Sequence, residues 1–223
     1  MTDELAQYIE AHIDSEHPYL HQLYRATQTH LLYPRMASGH MQGTMLHMLV
    51  RMIRPRTVVE IGTYSGYSAL CMASALQDGA MLHTIEVFDE LEDFTRPWIE
   101  QSPWADKVTL HIADALELIP RMGLTFDMAF IDGNKRCYTQ YYKTLMQYMN
   151  PGAFIVADNT LWDGHVLEAA DSLTHTHTDE QTRGVMEFND TVAADPRVEK
   201  TILPLRDGLT IISLPPATTK NQA

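Results

Sequence analysis

The sequence predicts a doubly wound α/β fold whose mostly parallel sheet ends in an antiparallel strand and is preceded by helices. Three observations carry this. Between residues 57 and 157, short β-branched or apolar runs alternate with amphipathic segments, the pattern of a parallel sheet covered by helices. The stretch Val58 to Leu70, V-V-E-I-G-T-Y-S-G-Y-S-A-L, joins one such run to a helix through a glycine-containing turn. Near the C-terminus Asp207-Gly208 separates two apolar runs, the mark of a hairpin, so the last strand is expected to run against its neighbour.

Taken in order, Leu5, Tyr8, Ile9 and Ile13 share one helical face, and Leu20, Leu23, Tyr24 and Leu31 share another. From Gly43 to Ile53 the chain is apolar almost all round, as a buried helix requires, and the link Arg35 to Gly39 before it borders a pocket or serves as a plain interhelical loop. Strands are expected over 57–61, 81–86, 107–112, 127–131 and 153–157, with helices over 66–76, 90–100, 114–121 and 135–149 between them. Right-handed crossovers then bring every strand's C-terminal end to one rim, where ligands of such sheets bind. Glu60, Glu86, Asp114, Asp132, Asp158 and Asn159 all fall at or just after these ends. A polar stretch, His165 to Thr182, leads to a helix with Val185, Phe188 and Val192 on one side. The hairpin pairs Thr201 to Leu205 with Leu209 to Leu214.

The length of 223 residues and a hydrophobic content of 45% suit one sizeable core domain over 56–215, a helical extension over 1–55 and a short tail over 216–223. Sixteen basic against 29 acidic residues give a net charge of -13, which disfavours nucleic acid and anionic lipid as partners. Cys71 and Cys137 lie in different expected helices and make neither a zinc site nor a disulfide framework. The N-terminus, M-T-D-E-L-A-Q-Y-I-E, lacks the basic start and apolar core of a signal peptide, and no apolar run has the length of a membrane span; a cytoplasmic location is expected.

The turn after the first strand reads G-x-x-x-G, not the G-x-G-x-x-G of a dinucleotide site, which counts against a nicotinamide-dependent oxidoreductase. Gly62 and Gly66 permit close backbone approach, and free amides at the following helix start favour an accepting group. Glu60 is placed to receive the ammonium of an amino-acid-like cofactor, and Glu86, closing the next strand, to hold ribose hydroxyls. A strand-turn-helix of any doubly wound fold accounts for the same pattern.

Further along, F-I-D-G-N-K ends one strand with Asp132 and supplies Lys135, while A-D-N ends the neighbouring strand with Asp158 and Asn159. Three oxygen donors suit a hard cation such as Mg²⁺, Mn²⁺ or Ca²⁺; the alternative is that the aspartates cap the helices that follow. Beside a cation, the amine of Lys135 is pushed toward the neutral form that proton abstraction requires. His165, Asp171, His175 and His177 form a weaker metal-binding candidate and read as surface groups of a polar loop. Tyr138, Tyr141, Tyr142, Leu145 and Met149 form a core stripe, and Trp162 either fills the core or walls a planar substrate.

From about Met36 to Leu214 the chain resembles the cation-dependent catechol and caffeoyl-coenzyme A O-methyltransferases, a branch of the class I S-adenosylmethionine enzymes. The resemblance rests on V-E-I-G-T-Y-S-G-Y-S, F-I-D-G-N-K, A-D-N-T-L-W-D-G and D-G-L-T-I. It implies a Rossmann-like, seven-stranded sheet with an antiparallel last strand. It further implies a homodimer, and methyl transfer from S-adenosylmethionine to a vicinal aromatic diol that a divalent cation chelates. Carried over by position, Glu60, Gly62, Tyr64, Ser68 and Glu86 become cofactor contacts, Asp114 the acid near the adenine, and Met36 and Ala37 the loop beside the methyl donor. Asp132, Asp158 and Asn159 become the metal ligands and Lys135 the general base, with Asp132 also bordering the cofactor. The chain departs from the family's D-A-D-K-D-N-Y at Gly133, Asn134, Arg136 and Cys137, which bears on substrate choice. Relatives that methylate a hydroxylated uridine in transfer RNA provide a rival acceptor, disfavoured by the acidic charge. A non-catalytic binding module is disfavoured by the intact Asp132, Lys135, Asp158 and Asn159.

Overall fold

The computed structural model describes residues 3–170 and 179–217. Seven strands form one sheet in the order β3-β2-β1-β4-β5-β7-β6: β1 (Thr57–Ile61), β2 (Met81–Glu86), β3 (Val108–Ile112), β4 (Phe126–Ile131), β5 (Met149–Asp158), β6 (Glu199–Leu203) and β7 (Leu209–Ser213). The chain divides into two compact units, 1–114 and 115–223.

The first unit begins with α1 (Asp3–Glu10), α2 (Pro18–His30) and α3 (Gly39–Ile53), so the expected 1–55 extension lies within it. Pro18 opens α2 at a position where a missing N–H costs nothing, and His17 Nδ1 accepts the Tyr19 N–H at 3.2 Å. Then come β1, α4 (Tyr67–Ala73), β2, α5 (Glu92–Glu100) and β3, the three strands parallel. Every residue of α4 is buried, in keeping with its apolar sequence, and Val58, Val59, Leu70 and Leu82 have no exposed surface.

The second unit runs α6 (Ala115–Leu118), β4, α7 (Tyr138–Leu145), β5, α8 (His165–Ala170), α9 (Glu180–Ala194), β6 and β7. β4 and β5 are parallel, whereas β7 runs antiparallel to both β5 and β6, as the Asp207-Gly208 hairpin predicts. Asp179 caps α9 by accepting the amides of Gln181 and Thr182, and Val185, Phe188 and Val192 fall on its buried side.

Boundaries differ from the sequence reading where local bonds compete with periodicity. The helix expected to reach residue 149 stops at Leu145, because the Tyr148 carbonyl accepts the Phe126 N–H at 2.8 Å and Met149 already pairs in the sheet. Met149 therefore belongs to β5, not to the tyrosine stripe. The helix expected over 114–121 is one turn of α-helix followed by a 3-10 turn containing Pro120. Asp171, His175 and His177 lie outside the described residues. Among those described, no helix is long and apolar enough to cross a membrane.

Candidate active site

In the first unit, the turn between β1 and α4 is built by backbone conformations that favour glycine: φ is +99° at Gly62 and +83° at Gly66, with Tyr64 also left-handed at +47°. Two acids hold this turn in different ways. Glu60 has no exposed surface; its Oε1 accepts the Ser68 hydroxyl at 2.6 Å and its Oε2 the Thr84 hydroxyl at 2.5 Å. Because the Thr84 hydrogen goes to a carboxylate, Thr63, 2.5 Å from Thr84 Oγ1, must be the donor in that pair. The result is a directed chain, Thr63 to Thr84 to Glu60. Ser68 and Glu60, both predicted cofactor contacts, are thus bonded to each other.

Glu86 holds the turn from its far side. Its Oε2 accepts the Tyr64 N–H at 2.8 Å, and its Oε1 accepts the amides of Val87 at 2.9 Å and Phe88 at 3.0 Å. Asp114 is exposed two residues beyond β3, where the Ala113 N–H reaches the Glu86 carbonyl at 2.8 Å. Met36 is exposed at the end of a 3-10 turn, and Ala37 is buried. Burial raises the Tyr64 phenol above its ordinary range, partly offset by the Tyr33 backbone. The buried Ser65 hydroxyl, inside the same turn, has no hydrogen-bond partner among the described residues, which fits a turn shaped to receive a polar ligand group. A cavity of about 270 Å³ lined by His17, His40, His47, Tyr67 and Trp104 lies elsewhere in this unit, and none of the predicted cofactor residues borders it.

In the second unit, parallel pairing of Phe130 with Val156 and Ile131 with Ala157 brings Asp132 and Asp158 to adjacent strand tips. Neighbouring strands lie about 4.8 Å apart, so the two carboxylates begin from neighbouring backbone positions. Lys135 is buried at 7% exposure, and its Nζ donates to Asp132 Oδ1 at 2.8 Å and to the Tyr138 hydroxyl at 2.7 Å. Tyr138, with no exposed surface, turns its own hydrogen toward the carbonyls of Asp158 at 3.1 Å and Ile131 at 3.3 Å. Burial, and then the carboxylates of Asp132 and Asp158, hold this phenol well above its ordinary range. One hydroxyl thus ties both strand tips to the lysine.

Asn159 adopts φ +56°, and its N–H donates to Asp158 Oδ1 at 2.8 Å. Its side-chain nitrogen donates to Asp207 Oδ2 at 3.3 Å. Among the described residues no three His, Cys, Asp or Glu side chains form a metal group. The candidate set here has two carboxylates and an amide oxygen, a donor chemistry that fits a hard divalent cation. Tyr138, Thr84, Thr63 and Asp207 received no functional role from the sequence. Thr84, between His83 and Ile85 in β2, offered no signal beyond being a polar residue in a strand, and the Asp207-Gly208 turn was read for its shape alone.

The strand order and the glycine turn define a class I methyltransferase fold. The family model described as O-methyltransferase matches residues 9–214, and the chain belongs to that family. It is 32% identical over 218 residues to a caffeoyl-CoA O-methyltransferase of Arabidopsis thaliana, covering 94% of this chain and 84% of the relative. With the corresponding protein of Mesembryanthemum crystallinum it is 35% identical over 176 residues, 76% of this chain and 69% of the other. Among solved structures, the O-methyltransferase TomG from Streptomyces achromogenes, involved in tomaymycin synthesis and determined with SAM, matches with a TM-score of 0.86 and 27% identity. That match covers 96% of this chain and all of TomG. An O-methyltransferase from Bacillus cereus in complex with SAH matches with a TM-score of 0.86 and 26% identity over 95% and 97% of the two chains.

Proposed function

We propose that this chain is an S-adenosylmethionine-dependent O-methyltransferase that requires a divalent cation and acts on one hydroxyl of a vicinal aromatic diol. The observation that carries the reading is the buried Lys135, bonded to Asp132 and Tyr138 at the tips of β4 and β5, with Asn159 following Asp158. A lysine sequestered beside carboxylates is a costly arrangement for a purely structural role.

In this reading the glycine turn, Glu60 with Ser68, and Glu86 hold the methyl donor, and Asp132, Asp158 and Asn159 hold the cation, which lends Lewis acidity and a template for two adjacent oxygens. Lys135 takes the proton from the acceptor hydroxyl, and Tyr138 fixes the direction of its amine. Burial keeps water from competing for that amine. Donor and oxyanion lose opposite charges as the methyl moves, so positioning matters more than added charge stabilisation. A cytoplasmic homodimer without nucleic-acid or membrane partners completes the proposal.

The test is transfer of labelled methyl from S-adenosylmethionine with Mg²⁺ present to three acceptor groups: dihydroxyphenyl compounds, their monohydroxy counterparts and bulk RNA. The reading expects label only in the dihydroxy group. Label in RNA alone would favour the uridine reading, and equal label in the monohydroxy compounds would remove chelation from the account.

A further inference from the structure

The segment after β5 is held by the hairpin turn before β7. Asp207 uses its carbonyl to accept the amides of Leu161 at 2.7 Å and Trp162 at 3.1 Å, Gly208 accepts Thr160 N–H at 3.1 Å, and Thr210 and Thr160 hydroxyls meet at 2.8 Å. A Cβ on Gly208 would stand 2.7 Å from the Leu161 nitrogen, so only glycine lets the two loops come this close. All of these bonds anchor backbone or the Thr160 side chain. None needs the carboxylate of Asp207.

That carboxylate has a separate partner. It accepts the side-chain nitrogen of Asn159 at 3.3 Å. A carboxylate offers no hydrogen, so it selects the nitrogen end of the amide, and Oδ1 of Asn159 is the atom turned away from it. Without this selection the two ends of an Asn side chain are nearly interchangeable in shape, and only the oxygen end can ligate a cation. The left-handed backbone of Asn159, together with its N–H bond to Asp158 Oδ1, sets where the amide starts; Asp207 sets which end faces which way.

We propose that Asp207 is a positioning residue for the cation site, holding the Asn159 amide in the flip state that presents oxygen. The inference rests on the reading of Asp132, Asp158 and Asn159 as cation ligands. It adds a residue outside that set, from a different element, with a role that its backbone bonds do not share.

The experiment is direct titration of the full-length protein with Mn²⁺, followed by electron paramagnetic resonance of the free ion, with no substrate or methyl donor. Thermal unfolding is run in parallel. Loss of an outer partner of a metal ligand typically weakens binding by about 10- to 100-fold, and this is expected for Asp207→Ala. Asn159→Asp carries an oxygen at both ends and needs no such selection, so adding Asp207→Ala to Asn159→Asp is expected to bring no further weakening. Equal weakening by Asp207→Ala beside Asn159 and in the Asn159→Asp background would mean that charge, not amide orientation, is at work, and would overturn the proposal. So would unchanged affinity in Asp207→Ala beside the native Asn159. A wild-type chain that binds no Mn²⁺, or one whose binding survives Asp132→Ala and Asp158→Ala, would fell the cation reading itself, and the proposal with it; that result is distinct from a failure confined to the Asp207 variants.

Discussion

Lys135 Nζ lies 2.7 Å from the hydroxyl of Tyr138, a phenol whose hydrogen is already committed to the Asp158 and Ile131 carbonyls, so the tyrosine meets the lysine as an acceptor. The direction of the amine is therefore set by a group with no exposed surface of its own. Tyr138→Phe removes that acceptor and the hydrogen that Tyr138 gives to two strand-tip carbonyls. A stability loss of about 1–3 kcal/mol is expected for the buried hydrogen bonds lost. Turnover should fall roughly 10- to 100-fold from misplacement of the amine. Chemical denaturation and steady-state kinetics check the two parts separately, and unchanged turnover would leave Tyr138 as core alone.

Glu86 accepts three backbone amides through its two oxygens. Glu86→Gln turns an NH₂ toward at least one of those N–H groups, with an expected cost of about 1.5–3 kcal/mol for a lost bond to a charged group. Those amide bonds exist without a ligand, so that cost is expected in stability; a ribose hydroxyl that loses its charged acceptor should in addition weaken S-adenosylhomocysteine binding, measured by calorimetry, by about tenfold or more. Equal affinity would separate Glu86 from the cofactor.

Gly184 on α9 packs directly on the backbone of the lysine loop: a Cβ there would meet the Lys135 carbonyl oxygen and stand 2.8 Å from Arg136 Cα. Backbone cannot yield as a flexible side chain does. Gly184→Ala should cost about 1–3 kcal/mol by overpacking and lower turnover through displacement of Lys135. A variant as stable and active as wild type would contradict the close packing.

Away from the site, Arg197 donates to Asp195 from its guanidinium at 2.6 Å and 2.9 Å, and Tyr142 adds a bond at 2.9 Å. The hydrogen bonds from Arg197, opposed by burial and reinforced by Tyr142, hold the Asp195 carboxyl well below the usual carboxylate range. A carboxyl lowered in the folded state contributes stability that is present above its unfolded pKa, near 4, and lost as pH falls through the folded value. Wild type should therefore be more stable than Asp195→Asn at neutral pH, with the difference shrinking as pH drops below about 4. Melting temperatures across that range provide the check; a gap independent of pH would rule out the linkage.

Much of the fold was legible because strand ends, glycines and the Asp207-Gly208 turn act locally, and β1 and β2 fall on the residues that their β-branched runs predict. Asp132, Lys135 and Asp158 were legible as chemistry at strand tips. Their supporting groups were not. Tyr138 has the spacing of a core residue, and burial and function coincide in it. Thr84 acts across a strand pair, opposite Glu60 in register, and Asp207 reaches Asn159 from 48 positions away, so no local pattern reports either contact. The helix predicted to run through Met149 failed for a similar reason: pairing of the chain with β4 outweighed its helical periodicity.

The central claim, a cation-dependent methyl transfer served by Lys135 between the tips of β4 and β5, is tested most directly by chelation. Labelled methyl transfer from S-adenosylmethionine to a dihydroxyphenyl acceptor is measured in EDTA and again after excess Mg²⁺ or Mn²⁺ is added. The account predicts no transfer in chelator and recovery with either ion; full transfer in EDTA would contradict it.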